Sequence, residues 1–208
     1  AKKAMSLGVM DFITKPANAM RIVQVLEKAI GEVKRRQEHW EKNLEYKEKL
    51  EAVIPIIESG MIYSILFQDN YSGDTERFRE LLDIPQKYGF ILVIEVGDAI
   101  ENRKMTNVVG MSVKAQKFYD EFRQIVKQFF SATVGPMMAN KVVVFVPVET
   151  PKQEYKERVL TIERADHMIQ KLMTRIELFF RVGIGSVHLL DNIYPSYQEA
   201  CLALKKAD

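Results

Sequence analysis

The spacing of hydrophobic and polar residues divides the chain into segments. From about Asn18 to Ile54, apolar residues recur at helical intervals among many charged residues, which predicts one long amphipathic helix. Asn18 is a favoured N-cap residue, and Pro55 disfavours helix at the residue before it. Because each helical residue adds about 1.5 Å, this helix of about 37 residues would extend about 55 Å. We therefore expect a long linker helix over residues 18–54.

The apolar residues of this helix fit a heptad repeat with Ile22 at position d. The seam is apolar at both ends and mixed in the middle, where Trp40 and Leu44 are the main apolar residues. We expect contacts from Ile22, Leu26, Val33, Trp40, Leu44, Leu50 and Ile54. The polar seam positions are Arg36, Asn43 and Lys47. A helix with so many charged residues is not stable through helix propensity alone, so its apolar stripe must pack against a partner. We expect a parallel coiled-coil homodimer, and the alternative is a solvated spacer helix in a single chain.

Residues 55–87 are predicted to form a helical adaptor between the linker helix and the segment that follows. Pro55 suits the first turn of a new helix, and the apolar residues up to Leu66 have helical spacing. A turn-rich stretch then precedes a short helix from Thr75 to Leu82. No residues typical of catalysis stand out in this segment.

From Tyr88 to Asp208 the pattern alternates between strands and helices. The continuous apolar run from Phe90 to Val96 predicts a buried central strand. The other predicted elements are a helix over 112–130, a hairpin with strands at 133–134 and 142–148, a helix over 154–180, a strand over 181–187 and a last helix that Ser196 and Glu199 open as a capping box. This order predicts one partly antiparallel sheet with helices packed on it.

The first residues of the chain predict a fragment of a parallel α/β sheet. A short apolar strand, Val9 to Thr14, follows helix-forming residues and Gly8. One such unit cannot bury a sheet, so we expect the chain to be a piece of a larger protein. The run Ala-x3-Gly-x-x-Asp-Phe-Ile-x-Lys-Pro, from Ala4 to Pro16, resembles the end of the CheY-like receiver domain of response regulators.

The receiver resemblance implies signalling roles for two residues. Lys15 would contact the phosphorylated aspartate of the receiver, and Phe12 would report phosphorylation by rotating inward. The phosphoacceptor, the acidic pair and the switch hydroxyl would lie upstream of Ala1. Residues 1–17 therefore cannot perform phosphoryl transfer, which needs carboxylates, a metal and an in-line nucleophile together.

Composition excludes several classes of protein. A hydrophobic content of 47% and a charged content of 28% are those of an ordinary soluble globular protein of one or two domains. A net charge of +2 gives no indication of nucleic-acid binding. The single cysteine, Cys201, excludes an internal disulfide and suits the cytoplasm. No stretch approaches about 18 uncharged apolar residues, so we expect no membrane span.

A second resemblance covers the rest of the chain. The strand Val182-Gly-Ile-Gly-Ser186 and the run Ser196-Tyr-Gln-Glu-Ala-Cys-Leu-Ala-Leu204 resemble the GGDEF-like middle domain of AraC-type, YesN-like response regulators. This resemblance implies an α+β fold, in which a long N-terminal linker helix precedes a GGDEF-like (ferredoxin-like) α/β sandwich with a mostly antiparallel sheet. The expected domains are a receiver remnant (1–17), a linker helix (18–54), a helical adaptor (55–87) and a degenerate GGDEF-like domain (88–208).

The GGDEF-like segment is not expected to be an enzyme. Active cyclases of that family carry Gly-Gly-Asp/Glu-Glu-Phe on the hairpin, whereas the matching run here, Gly135 to Asn140, has no carboxylate. Glu95 and Asp98 stand near the family's metal-binding acids, and we interpret them as surface acids or as remnants of a polar site. We expect no catalytic residue, no metal and no cofactor.

The glycines of Gly183-Ile-Gly185 indicate a close backbone approach or a bulge.

The expected function is signal transduction. This region would relay receiver phosphorylation, through the geometry of a homodimer, to a DNA-binding domain absent from this chain. A sensor histidine kinase and DNA would be partners of the full-length protein only. The alternative is a small-molecule-sensing domain, and a more distant one is a nucleotide cyclase. Met137 and Met138, at the predicted hairpin tip, are candidates for an exposed contact surface.

Overall fold

The computed structural model describes residues 18–67, 72–97, 100–101, 104–105 and 117–206. The predicted receiver remnant, with Phe12 and Lys15, lies outside these residues, and so does Asp98. The chain divides into two compact units, with the boundary between Ala52 and Val53. The first unit contains most of a long helix, and the second contains the sheet.

Helix α1 spans Ala19–Phe67 and begins where the sequence predicts. The backbone N–H of Met20 donates a hydrogen bond of 3.1 Å to the side-chain oxygen of Asn18. This bond satisfies one of the free N–H groups of the first helical turn, so the predicted N-cap is confirmed.

The predicted end of this helix at Ile54 is wrong, because α1 continues through Pro55 to Phe67. Pro55 lacks the N–H that would bind the carbonyl of Glu51, a loss of about 3 kcal/mol in a helix interior. Three side chains beyond the proline are buried in a hydrophobic core: Met61, Ile62 and Ile65. The predicted adaptor helix is therefore the last part of α1, and tertiary packing outweighs the local preference of proline.

Replacing Pro55 with alanine is expected to raise the free energy of unfolding by up to about 3 kcal/mol. Alanine restores the missing backbone hydrogen bond inside α1 and has the highest helix propensity. Urea unfolding of the two chains measures the difference. Pro85→Ala, in a loop outside any helix, is the matched control, and no stabilisation is expected there. A destabilised Pro55→Ala chain would show that α1 requires the proline.

By length and composition alone, α1 is long and apolar enough to cross a membrane. Its residues Met61 and Ile62, however, have no exposed surface and pack in the core of the second unit. Glu58, one turn earlier, is a buried carboxylate with two cationic partners. These contacts place the last part of α1 in the hydrophobic core of the second unit.

The other elements of the described residues complete an α+β fold. The helices are α2 (Ser72–Leu81), α3 (Tyr119–Phe129), α4 (Tyr155–Ile176) and α5 (Tyr194–Lys206). The strands are β1 (Tyr88–Gly97), β2 (Ile100–Glu101), β3 (Lys104–Met105), β4 (Thr133–Met138), β5 (Lys141–Val148), β6 (Phe179–Ile184) and β7 (His188–Leu189). Strands β4, β5, β1 and β6 form an antiparallel sheet in that order, and β7 pairs with the start of β1. The predicted fold class, with its mostly antiparallel ferredoxin-like sheet, is confirmed.

Helices cover both faces of this sheet. Side chains alternate along β1, so Leu92 and Ile94 face one core while Ile91 and Val93 face the other. Helices α3 and α4 cover the first face. The end of α1 and helix α5 cover the second. The last part of the long helix is thus a structural component of the domain.

A buried ion cluster joins α1 to α3. The carboxylate of Glu58, with a side chain 3% exposed, accepts hydrogen bonds from Arg123 and, at 2.5 Å, from Lys127. The nearby Tyr119 hydroxyl donates a hydrogen bond of 2.6 Å to the carbonyl of Gly135, at the start of the hairpin. Burial raises the pKa of Tyr119 to about 12, although Arg123 acts in the opposite direction. These contacts connect α1, α3 and the hairpin.

The hairpin turn lies further along the chain than predicted. Strand β4 extends to Met138, and the turn is formed by Ala139, in a left-handed conformation, and Asn140. A register shift between Val134 and Met137 adds a bulge. Met137 and Met138 are consequently half-buried strand residues that pack on opposite cores. The expectation of an exposed methionine surface at the tip is wrong.

Two other predicted boundaries are wrong because long-range contacts decide them. The helix predicted over 154–180 ends at Ile176, where Glu177 adopts a left-handed conformation, so Phe179 already belongs to β6. The predicted capping box of Ser196 and Glu199 does not form. The buried Ser196 hydroxyl instead accepts the N–H of Ile91 at 2.9 Å, inside a helix that begins at Tyr194.

Gly183 of β6 and Gly185, directly after this strand, permit close packing of α5. A Cβ atom on Gly183 would overlap the carbonyl oxygen of Ala200, and one on Gly185 would overlap that of Ser196. The predicted close backbone approach is confirmed. This close approach sets the distance between α5 and the sheet, because any residue with a side chain at these positions would overlap the α5 backbone.

Candidate functional site

The predicted polar remnant site lies at the end of β1 next to the hairpin turn. Glu95 forms an ion pair of 2.5 Å with Arg181 of β6 and a longer one of 3.6 Å with Lys141 of β5. The side-chain amide of Asn140 also approaches the Glu95 carboxylate, at 3.4 Å. Antiparallel pairing explains this meeting, because Lys141 and Arg181 stand opposite Glu95 on its two neighbouring strands.

The charges around Glu95 favour a structural ion cluster over a metal site. Its side chain is 13% exposed, and two cations already neutralise its single negative charge. In the part of the chain that the structure describes, no group of three or more His, Cys, Asp or Glu side chains could hold a metal ion. A divalent cation at Glu95 would have to displace Lys141 and Arg181, which offer it no ligand.

A second polar cluster lies between the end of β6 and α5. The carboxylate of Glu199 accepts hydrogen bonds from the hydroxyl and, at 2.7 Å, the backbone N–H of Ser186. The Nε2 atom of His188 lies 3.2 Å from the Ser186 hydroxyl and 3.3 Å from the same carboxylate. A Ser-His-acid triad uses both ring nitrogens, one towards each partner. Here Nε2 faces both partners, so the cluster is a structural network.

The hydrogen bonds of this cluster control the ionisation of Glu199. Burial raises the pKa of its carboxyl, but the hydrogen bonds from Ser186 and His188 outweigh burial and leave the pKa below its ordinary value of 4.5. The folded state therefore favours the charged carboxylate. The stabilisation is complete above the pKa of the unfolded chain and is lost as pH falls through the lower folded pKa.

Glu199→Gln is expected to be less stable than the native chain near neutral pH, with a difference that shrinks as the pH falls below 4.5. Urea unfolding over a range of pH measures this difference. Glu163→Gln is the matched control, since Glu163 is exposed on α4. A Glu199→Gln difference that stays constant with pH would contradict the assigned network.

The predicted coiled-coil residues lie on α1 with much of their surface exposed. Trp40 is 75% exposed and Leu44 is 49% exposed. The other predicted seam residues are also exposed: Ile22, Leu26, Val33, Leu50 and Ile54. The sequence interpretation missed Ile30, which is 54% exposed on the same helix face. From Leu26 onward, intervals of four and three residues give Leu26, Ile30, Val33, Gln37, Trp40, Leu44 and Lys47, a seam that no longer includes Arg36 and Asn43.

Comparison with known families gives a match to the GGDEF-like domain over residues 82–205. These residues contain the sheet, helices α3 and α4, and α5 up to Lys205. The chain belongs to the GGDEF-like domain family. The match begins at 82, earlier than the predicted start at 88, and includes the loop that leads into β1. No curated protein and no solved structure gives a significant match.

The family assignment places the two polar clusters within one GGDEF-like domain. Glu95 and the hairpin turn, at one end of the sheet, are where the sequence resemblance put the remnant polar site. The GGDEF-like hairpin turn consists of Ala139 and Asn140, neither of which is acidic. The arrangement at Glu95 is thus suited to holding neighbouring strands together.

Proposed function

We propose that this chain is the signal-transducing linker and regulatory region of a two-component transcriptional regulator in the cytoplasm. Phosphorylation of a receiver domain changes packing near Phe12 and Lys15, and α1 converts that change into a new dimer geometry. The GGDEF-like domain passes the change to a DNA-binding domain elsewhere in the polypeptide. A sensor histidine kinase and DNA are partners of the full-length protein.

The observation that carries this proposal is the dual character of α1. Its first part has a stripe of exposed apolar residues, such as Leu26 and Trp40, which is unusual on the surface of a monomer. Its last part contributes Met61 and Ile62 to the core of the GGDEF-like domain. One helix thus bears both an apolar stripe that the described residues leave exposed and core residues of the regulatory domain.

The partner that fits the exposed stripe is the same stripe of a second chain. Spacing of four and three residues brings Ile30, Val33 and Leu44 to one seam, as in parallel two-stranded coiled coils. Gln37 and Lys47 interrupt the seam and can fix its register at some cost in stability. The homodimer gives the relay its two-state element, namely two helix arrangements that phosphorylation and DNA binding favour differently.

Replacing both Trp40 and Leu44 with glutamate tests the relay. We expect the full-length protein to become monomeric and to lose phosphorylation-dependent transcription, because like charges would face each other across the seam. The control carries glutamate at His39 and Tyr46, two exposed residues on the opposite helix face, and adds the same charge. It should dimerise and activate normally. Unchanged dimerisation and transcription in the Trp40/Leu44 variant would contradict the relay.

We further propose that the GGDEF-like domain is not a nucleotide cyclase. The support is Glu95, whose carboxylate is engaged by Arg181 and Lys141, and a hairpin turn that lacks an acid. Two-metal chemistry needs carboxylates from both elements. Incubation of the protein with GTP and Mg²⁺ should give no cyclic product. Turnover that Glu95→Gln abolishes would overturn this proposal.

A further inference from the structure

A cavity of about 600 Å³ lies in the second unit, away from the clusters at Glu95 and Glu199. Five segments form its walls: α1 near Glu58, residues 81–86, Lys127 of α3, residues 130–133 and Pro147 of β5. Tyr88 pairs with Val148 at this end of the sheet, whereas Glu95 pairs with Lys141 at the other end. The volume is within the range of roughly 300–1,000 Å³ that small-molecule sites occupy.

Most of the cavity wall is apolar. The apolar residues of the wall are Ile54, Leu81, Leu82, Ile84, Pro85, Phe130, Ala132 and Pro147. They come from a helix, a loop and a strand that pack together, so their separation is set by the fold. Such a wall favours an aliphatic or aromatic body, because burying apolar surface is the main favourable term in binding a small molecule.

The charged groups of the wall give the site its polarity. Glu58 is buried and uses both carboxylate oxygens, one for Arg123 and one for Lys127. These two cations face one carboxylate, so the trio has a net positive charge. The remaining charged residue of the wall, Asp83, is exposed to solvent.

Lys127 is the group through which this positive charge reaches the cavity. Its ammonium has three donors, and its hydrogen bond to Glu58 uses one of them. Its side chain is 36% exposed and lines the cavity, unlike the more deeply buried Arg123. A ligand cation here would lie beside two protein cations. A neutral ligand would leave the remaining donors of Lys127 to water.

We propose that this cavity binds a small amphipathic carboxylic acid. The carboxylate of the ligand accepts hydrogen bonds from Lys127, and its apolar body packs against Leu82, Ile84 and Phe130. Because Lys127 also binds Glu58 of α1, the occupied site contacts the long helix through a shared lysine. The proposed ligand contacts do not depend on the relay, because Lys127, Ile84 and Phe130 lie outside α1.

Binding is tested with pairs of probes that differ only in charge. The probes are phenylacetate, indole-3-acetate and octanoate, each with its amide, and the measurements are thermal unfolding and isothermal titration calorimetry of the whole chain. At least one acid should raise the unfolding temperature in a saturable way, by mass action. Its amide should bind about tenfold more weakly or worse, because a charge-assisted hydrogen bond is lost.

Two variants locate the site, and a third is the control. Lys127→Met should weaken acid binding about tenfold or more, while Arg123 still pairs with Glu58. Ser131→Trp, at an exposed position of the wall, should block binding without touching the ion cluster. Lys156→Met, at an exposed position of α4 outside the cavity, should bind as the native chain does.

Three results would overturn the proposal. The first is that no acid binds at millimolar concentration. The second is that the amides bind as well as the acids, which would remove the role of Lys127. The third is that binding survives both Lys127→Met and Ser131→Trp, which would place the ligand elsewhere on the protein.

Discussion

Replacing Glu58 with alanine is expected to lower the free energy of unfolding by about 3–5 kcal/mol. The Glu58 carboxylate is nearly inaccessible and binds Arg123 and Lys127. Its removal leaves Arg123, with a side chain 15% exposed, without its anionic partner in a low-dielectric environment. Urea unfolding of the whole chain measures the loss.

An exposed ion pair is the matched control for Glu58. Glu45 lies 2.7 Å from Lys49 one turn along α1, and the two side chains are 65% and 69% exposed. Glu45→Ala should cost less than about 1 kcal/mol, because water screens the pair and solvates the remaining charge. A Glu58→Ala chain no less stable than Glu45→Ala would contradict the buried cluster.

A combined replacement separates the cost of an unpaired charge from the value of the ion pair. The Glu58→Leu, Arg123→Leu and Lys127→Leu changes made together remove all three charges and keep apolar volume. Their joint effect should be much smaller than that of Glu58→Ala alone, since well-packed apolar residues often replace buried ion pairs at little cost. A loss as large as for Glu58→Ala would indicate that the cluster itself stabilises the junction of α1 and α3.

Gly183→Val is expected to destabilise the GGDEF-like domain by about 3 kcal/mol. Any Cβ at this position would overlap the carbonyl oxygen of Ala200, and the side chain of Leu204 is also within 2.9 Å. Since the obstacle is backbone, α5 would have to move away from the sheet. Thermal and urea unfolding measure the effect, and the smaller Gly183→Ala should cost less than the valine.

Gly31 provides the control for this prediction. An added Cβ at Gly31 would meet no atom within 4 Å, and the residue lies inside α1. Gly31→Ala should therefore stabilise the chain by about 0.5–1 kcal/mol, through helix propensity alone. Equal effects of alanine at Gly31 and Gly183 would contradict the close contact of α5 with β6.

Local patterns were sufficient to predict much of the fold. The continuous apolar run around Phe90 predicts a buried strand without reference to distant residues. A short strand is apolar at every position when both of its faces are covered. Asn18 caps α1 through a bond two residues away, and Gly183 and Gly185 bring no side chain to a crowded position. Each of these predictions depends on the residue's own chemistry and does not require the identity of a distant partner.

The errors arise where tertiary contacts override local preference. Pro55 signals a helix end, yet burial of the residues beyond it keeps α1 continuous. Ser196 and Glu199 have the spacing of a capping box, but Ser196 binds Ile91 and Glu199 binds Ser186. The competing partners are far away in sequence, so no local pattern could have indicated them.

The ion clusters lay beyond sequence reasoning for the same reason. Glu58 meets Arg123 across 65 residues, and Glu95 meets Arg181 across 86. The sequence indicates Glu95 as a remnant acid, but the cations that neutralise it lie on neighbouring strands, where only the strand register places them. For α1, a strict search for intervals of four and three residues would have found Ile30 in the sequence.

Sedimentation analysis of the chain at several concentrations tests the central claim, that the apolar stripe of α1 is covered by α1 of a second copy. We expect a single species with twice the chain mass of 24.0 kDa. Replacement of Trp40 and Leu44 with glutamate should dissociate this dimer into monomers. A species of 24.0 kDa that persists at high micromolar concentration would contradict it.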